Sequence, residues 1–463
     1  MAQNNDSKLH IAMFPWFSFG HLTPYYLHLS NELAQRGHKI SFLLPKKVQI
    51  QWEPTNLHPD LITFYPLTVP HVEGLPLGTE TTSDIPILLT THLGTAMDLT
   101  RDQVETLLRK LKPYFVLFDT AYWISELASK IRFMNTVLYS AVSAVTVAIQ
   151  LVPARKVFED MTLMEAEMAK PPPGYPSSTV VLRRHEALAP PVISFEFGLG
   201  IMLHGRFTTS MKECDAISIR TCQEIEGQFC AYIGSQYGKL VFLTGPVLHE
   251  VMKMERLLED RWAWWLEGFE PNSVVFCEFG SQLILEKDQF EELVLGFELT
   301  GLPFLVALKP PAGVATVEEA LPKGFKERIG GRGVVYGGWV QQPQILGHSS
   351  IGCFVNHCGV GSMLESLLSN AQIVLVPHLC DQILNTRLMA EELKVAVEIT
   401  RDENGWFSKE SLCESICSVM DKDNEMGKLV KKNHLKWKKT LTSQGFITDN
   451  IDRFEKQLHE LSI

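Results

Sequence analysis

The chain has 463 residues, 45% of them hydrophobic and 21% charged, with a formal net charge of −11. That length exceeds what one hydrophobic core sustains, so two domains are expected, and the composition excludes a disordered chain. The acidic balance argues against the basic face that a nucleic-acid partner requires.

The first eight residues are polar and lack an apolar signal core. Short apolar runs then alternate with helical patterns. Leu9–Phe14 is expected as a buried strand and Pro15–His21 as a loop. A helix is expected from Thr23 to Arg36, ended by Gly37, with Lys39–Leu44 as the next strand. Phe115–Phe118 is an apolar strand that stops at Asp119, and Thr136–Tyr139 is another after an intervening helix. Strand, helix, strand at this spacing predicts a parallel α/β sheet. Val137–Val152 is too short and too polar to span a membrane, which takes roughly 20 apolar residues. Pro171, Pro172, Pro173 and Gly174 mark a stiff loop, either a wall over a site or a surface excursion. A polar connector at Gly245–Glu250 leads into a Trp-rich helix, Arg256–Glu270. The pattern then restarts, with strands Ser273–Phe279, Pro303–Leu308, Gly333–Tyr336, Ile351–Val355 and Ile373–Val376. Helices Lys287–Thr300 and Gly359–Ser369 lie between them. The expectation is an α/β chain of two Rossmann-like, doubly wound parallel-sheet domains, with the site at strand C-terminal ends and between the domains. Nine cysteines, none before Cys214, are an odd and uneven set that suits reduced thiols rather than a disulfide framework. A soluble, cytoplasmic monomer is the expectation.

Several residues carry possible chemistry. His21 closes the loop after the first strand, where open α/β sheets bind ligands, and neutral imidazole takes a proton from a hydroxyl near pH 7. Asp119 ends its own strand at the same edge. Two readings of it stay open: a carboxylate that orients His21, or an N-cap for the following helix. The second half holds a denser pattern. Trp339 offers a flat face to a base, beside Val340 and Gln342. His357, Gly359, Gly361 and Ser362 open a helix whose amides favour phosphate, and Glu365 sits one turn in. Asp381 and Gln382 offer acceptors and donors suited to sugar hydroxyls. Ser281, after the second domain's first strand, is placed to meet the same phosphates. Gly-x-Gly here lacks the third glycine of a dinucleotide fingerprint, which disfavours an NAD enzyme. Asp421 and Asp423 resemble a short metal-binding acid motif, but among Lys and Asn a solvated loop is expected.

The segment Trp339–Gln382 resembles the signature box of plant secondary-product glycosyltransferases, and the resemblance extends over essentially the whole chain. His21-Leu-Thr-Pro24, Asn385-Thr-Arg-Leu-Met389 and Glu403-Asn-Gly-Trp-Phe407 are similar to the branch that adds sugars to flavonoid, anthocyanin or terpenoid glycosides. The resemblance implies a GT-B fold, with an acceptor-binding domain at 1–245, a linker and helix at 246–272, and a UDP-sugar domain at 273–442. A final helix within 443–463 is implied to cross back to the first domain. By the same resemblance His21 is the general base and Asp119 its partner. Trp339 stacks on uracil, and Gln342 and Glu365 meet the ribose. Ser281, His357 and Ser362 meet phosphate, and Asp381 and Gln382 read the donor sugar. Ser140, Val340 and Gly361 complete the UDP-sugar site, and Trp16, Phe17, Gly20 and Trp123 are expected at the acceptor. UDP-sugar is then a co-substrate, and neither cofactor nor metal is expected. The chain departs from the family pattern at Val360, Leu364 and Cys380, where larger aromatics or Gly are usual. Those departures motivate one alternative, a catalytically weak UDP-sugar-binding protein; a transferase acting directly on an aglycone hydroxyl is the other.

Overall fold

The computed structural model describes residues 8–18, 21–131, 134–156, 169–187, 196–246, 257–280, 283–378 and 380–462. The first half contributes seven strands: β1 (His10–Phe14), β2 (Lys39–Pro45), β3 (Ile62–Leu67), β4 (Phe115–Phe118), β5 (Asn135–Ser140), β6 (Ala216–Ile219) and β7 (Leu240–Leu243). They form one parallel sheet in the order β3-β2-β1-β4-β5-β6-β7. The second half contributes β8 (Val274–Glu278), β9 (Phe304–Ala307), β10 (Gly333–Tyr336), β11 (Ile351–Asn356), β12 (Gln372–Leu375) and β13 (Val397–Glu398), in the order β10-β9-β8-β11-β12-β13. In each sheet the winding reverses once, between β1 and β4 and between β8 and β11. Such reversals leave a crevice at the strand C-terminal ends, because the connections on either side diverge there.

Continuous apolar runs form these strands because both sheet faces are covered by helices. Ile11 and Met13 pack on one side of the first sheet, while Ala12, Phe14, Val116 and Phe118 pack on the other. In the second sheet Val275, Cys277 and Val355 face one core, and Val274, Phe276 and Phe354 the other. Four strands escaped the sequence reading. β3 carries Pro66, the mark of an edge strand, Ser218 interrupts the apolar run of β6, β7 starts on two solvent-facing residues, and β13 has only two residues. The helix expected from Thr23 begins instead as a widened π-type turn, Leu22–Leu27, and becomes regular only over His28–Gln35. Pro24 has no N–H to give the ladder there.

The last helix, Phe446–Leu461, starts at Gly445, whose φ of 85° turns the chain sharply after helix Glu425–Leu441. It buries Ile451, Phe454 and Leu458 in the first domain's core, each contributing about 1.5–3 kcal/mol. Arg36 anchors it by an ion pair to Asp452 at 2.8 Å. The domains also meet through helix Ala144–Gln150, which packs on helix Cys380–Arg387. Among the described residues no helix is long and apolar enough to cross a membrane.

Candidate active site

Both sheet reversals carry polar residues, and the two sets lie within electrostatic reach. In the first domain the chain leaves β1 through a tight turn in which Ser18 accepts from the N–H groups of His21 and Leu22, at 2.9 and 2.8 Å. This turn aims His21 back at the end of β4. His21 Nδ1 lies 2.5 Å from Asp119 Oδ2, with the His21 side chain 28% exposed and that of Asp119 fully buried. A carboxylate accepts, so Nδ1 carries the ring hydrogen and the lone pair is left on Nε2. The helix after β4 begins only at Ile124, with Trp123 at its N-cap. Asp119 therefore caps nothing, and of the two readings the structure takes the pairing with His21.

In the second domain Trp339 leaves β10 with 75% of its surface exposed, while Val340 beneath it is buried. Val340 thus has only its backbone to offer a ligand. Gln342 donates its Nε2 hydrogen to Glu365 Oε2, and its Oε1 is buried without a partner. His357 sits between two glycines: a Cβ on Gly280 would come within 3.0 Å of its ring and one on Gly359 within 2.8 Å. Burial lowers the His357 imidazole to about 4, and its Nδ1 has no hydrogen-bond partner. The ring is therefore neutral near pH 7. Helix Val360–Leu368 follows, with Gly359 at its N-cap, so its first N–H groups and Ser362 face the β8/β11 crevice. A Cβ on Gly361 would meet nothing within 4 Å.

Asp381 and Gln382 occupy the first turn of helix Cys380–Arg387. Gln382 Oε1 accepts from the His378 N–H at 3.0 Å, which fixes the direction of the amide. Burial raises the Asp381 carboxyl, and the backbone N–H groups of Asp381 and Gln382 offset part of this, with His21, across the cleft, close enough to add a smaller electrostatic effect.

Other expected residues lie farther back. The Ser140 hydroxyl closes the turn after β5, donating to Val142 O at 3.1 Å and accepting from Val142 N at 3.2 Å. Trp16, Phe17 and Trp123 are buried in the first domain's core. Trp16 stacks along Phe17 at 6.2 Å, and Trp123 donates to Asp98 at 2.9 Å. Gly20 and Ser281 lie outside the described residues. Leu364 is buried and Val360 packs against the cores on both faces of the first sheet, so these aliphatic side chains act as packing.

Sequence reasoning passed over two residues here. Glu278 ends β8 as Asp119 ends β4, and a charge closing an apolar strand was the available signal. His378 is held down to about 3, chiefly by burial, and nothing in its spacing marked it.

One group of metal-ligating types comes together among the described residues, His38, Glu455 and His459, with ligand atoms within 4.8 Å of one another. Leu9 N–H donates to His38 Nδ1 at 3.0 Å, so the ring hydrogen sits on Nε2 and goes to Glu455 at 2.7 Å. Binding a metal at Nε2 would take the last proton from that ring, so the cluster fits a latch on the crossing helix rather than a ligand set. Asp421 and Asp423 lie in an exposed turn.

Comparison with known proteins places the chain in a family. Residues 326–436 match the family model described as UDP-glucoronosyl and UDP-glucosyl transferase. The chain is 57% identical over 461 residues to UDP-glycosyltransferase 79B9 of Arabidopsis thaliana, covering 100% of this chain and 98% of that protein. It is 54% identical over 465 residues to the anthocyanidin 3-O-glucoside 2'''-O-xylosyltransferase of the same plant, covering 99% and 98%. Among solved structures, a transferase from Siraitia grosvenorii in complex with UDP superposes with a TM-score of 0.75 at 23% identity, over 98% of this chain and 100% of that one. Arabidopsis thaliana UGT89C1 complexed with UDP-L-rhamnose superposes with a TM-score of 0.74 at 20% identity, over 99% and 100%.

Proposed function

The chain belongs to the UDP-glycosyltransferase family and has its GT-B fold, and from that premise we propose that it transfers the sugar of a UDP-sugar to a sugar hydroxyl of a flavonoid glycoside, with inversion and without a metal. The observation that carries this reading is the His21–Asp119 pair at one crevice, facing a nucleotide-type cradle at the other. The acceptor hydroxyl lies between His21 Nε2 and the anomeric carbon. Nε2 takes its proton as the oxygen bonds to that carbon, and the bond to UDP breaks on the opposite face. Asp119 stabilises the imidazolium that forms. UDP leaves with the bonding electron pair, its charge met by the N–H groups at the start of helix Val360–Leu368 and by one N–H of neutral His357.

The acceptor class is supported by the relative named an anthocyanidin 3-O-glucoside xylosyltransferase, 54% identical along the whole chain. Open space at Gly361 gives a glycone room beside the helix N-terminus. The free thiols among the described cysteines suit a reducing cytoplasm.

The test is incubation with a panel of UDP-sugars and flavonoid or terpenoid glycosides, with His21→Ala in parallel, read by mass spectrometry. Gain of one sugar that disappears in the variant is the expected result. Product surviving in His21→Ala overturns the base assignment, and no product with any pair despite UDP binding overturns the transferase reading.

A further inference from the structure

β8 is a central strand of its sheet, and its C-terminal end is the edge of the nucleotide crevice. Side chains alternate along it. Val275, Cys277 and Phe279 enter one core, while Val274 and Phe276 enter the other, together with Val340 and Ile345. Glu278 continues the second set. It therefore lies on the sheet face that carries Val340 and the Gln342 helix, opposite Asn356 of β11 and Ala307 of β9. Gly280 N–H holds its carboxyl, and Gly280 in turn packs on the His357 ring.

This corner is rich in acceptors and short of donors. Glu365 already takes the hydrogen of Gln342 Nε2, and Gln342 Oε1 is left buried and unpartnered. Glu278 brings a second carboxyl without bringing a cation. The titratable groups on the surrounding elements are Glu365 from helix Val360–Leu368, His357 after β11, held neutral by its burial, and Lys309 beyond β9, which is exposed. Glu365 lies within electrostatic reach of Glu278, and two carboxyls that feel each other in a low-dielectric corner do not both ionise cheaply.

We propose that Glu278 is a further nucleotide-binding residue, acting as a neutral acid that donates its proton to a ribose or phosphate oxygen of the UDP-sugar while Glu365 accepts from the ribose hydroxyls. Its carboxyl is pushed up to about 7, first by burial and then by the charge of Glu365, with the Gly280 N–H pulling the other way. The empty site therefore holds part of this proton near neutral pH, and a bound diphosphate, itself negative, draws it further on. Binding then takes up a proton and tightens as pH falls. The inference rests on the UDP-sugar reading above.

The experiment measures the Kd of UDP-glucose and UDP-xylose by calorimetry in the absence of acceptor. These diphosphate diesters hold their own charge across the range used, about pH 6 to about pH 8. For the wild type, Kd is expected to weaken about tenfold over that range, with proton uptake visible as a dependence of the heat on buffer. Glu278→Gln keeps a donor and cannot ionise. It is expected to hold at about pH 8 the affinity that the wild type shows at about pH 6, with the slope gone. Glu278→Ala is expected to bind several-fold more weakly than Glu278→Gln at every pH, also without slope. Thermal melting of each variant without nucleotide establishes that it is folded. A flat wild-type profile, or a slope that persists in Glu278→Gln, overturns the role of Glu278 and leaves the transferase intact. Failure of the folded wild type to bind either nucleotide sugar at any pH overturns the UDP-sugar reading and this inference with it.

Discussion

His21 gives its Nδ1 hydrogen to Asp119 across 2.5 Å, although the two residues stand 98 positions apart. The contact exists because β1 and β4 pair in parallel with Phe14 beside Phe118, which brings the loop after one strand to the end of the other. Asp119→Asn preserves the shape and reverses the donor, leaving the imidazole hydrogen on Nε2 where the base lone pair is needed. We expect kcat to fall by on the order of 10³ with KM changed little. A fall in kcat below about tenfold, measured with saturating donor and acceptor, would show that Asp119 does not set the tautomer.

Trp339 stands 75% exposed on a loop whose backbone is pinned by buried Val340. A base stacked on that ring is worth about 1–3 kcal/mol, so Trp339→Ala is expected to weaken UDP binding about 5- to 150-fold at unchanged thermal stability. Trp339→Phe should recover part of the loss. Quenching of tryptophan emission by UDP in the wild type, and its reduction in the variant, gives an independent readout.

Arg387 ties the halves of the molecule together. It donates to Glu186, from the first domain, and to Glu398, at the end of the second sheet, and all three side chains are buried. Arg387→Met strips Glu186 of this cation and leaves Glu398 only the more exposed Arg183, at 3.3 Å, which costs about 3–5 kcal/mol. Differential scanning calorimetry should show a clearly lowered transition. Adding Glu186→Gln and Glu398→Gln to Arg387→Met should restore much of it, because the stranded charges are then gone. A triple variant no more stable than the single one would assign the loss to packing instead.

His38 predicts an acid-side loss of stability. Burial, the largest influence, depresses its imidazole below the ordinary 6.5, and the hydrogen bond to Glu455 offsets only part of this. The folded state therefore prefers the neutral ring. Its contribution is complete above the unfolded value of about 6.5 and is lost as pH falls through the lower folded value. Melting temperature measured from about pH 7 downwards should drop less steeply in His38→Gln than in the wild type. Zinc should not raise the melting temperature of the wild type, since His38 Nε2 keeps its hydrogen for Glu455. A zinc-induced rise would overturn the tautomer drawn from Leu9 N–H.

The parts of this protein that the sequence by itself determined are those built locally. β10, the Trp339 turn, β11, Gly359 and helix Val360–Leu368 are neighbours along the chain, so an apolar run, a turn and a helix start place Trp339, His357, Ser362 and Glu365 together without knowledge of the rest. The two-domain α/β order was legible for the same reason, since buried parallel strands are continuous apolar runs between helical patterns. What the tertiary structure decided depends on which strands become neighbours. Asp119 could have capped a helix or oriented His21, and only the pairing of β1 with β4 chooses. Trp16, Phe17 and Trp123, read as acceptor contacts, are buried in the first domain's core in this structure. Glu278 was one charge in a strand until the adjacency of β8 and β11 set it beside Glu365. Spacing along a chain encodes backbone geometry over a few residues, whereas burial and electrostatic coupling are sums over everything folded nearby, and those sums exist only once the sheets have closed.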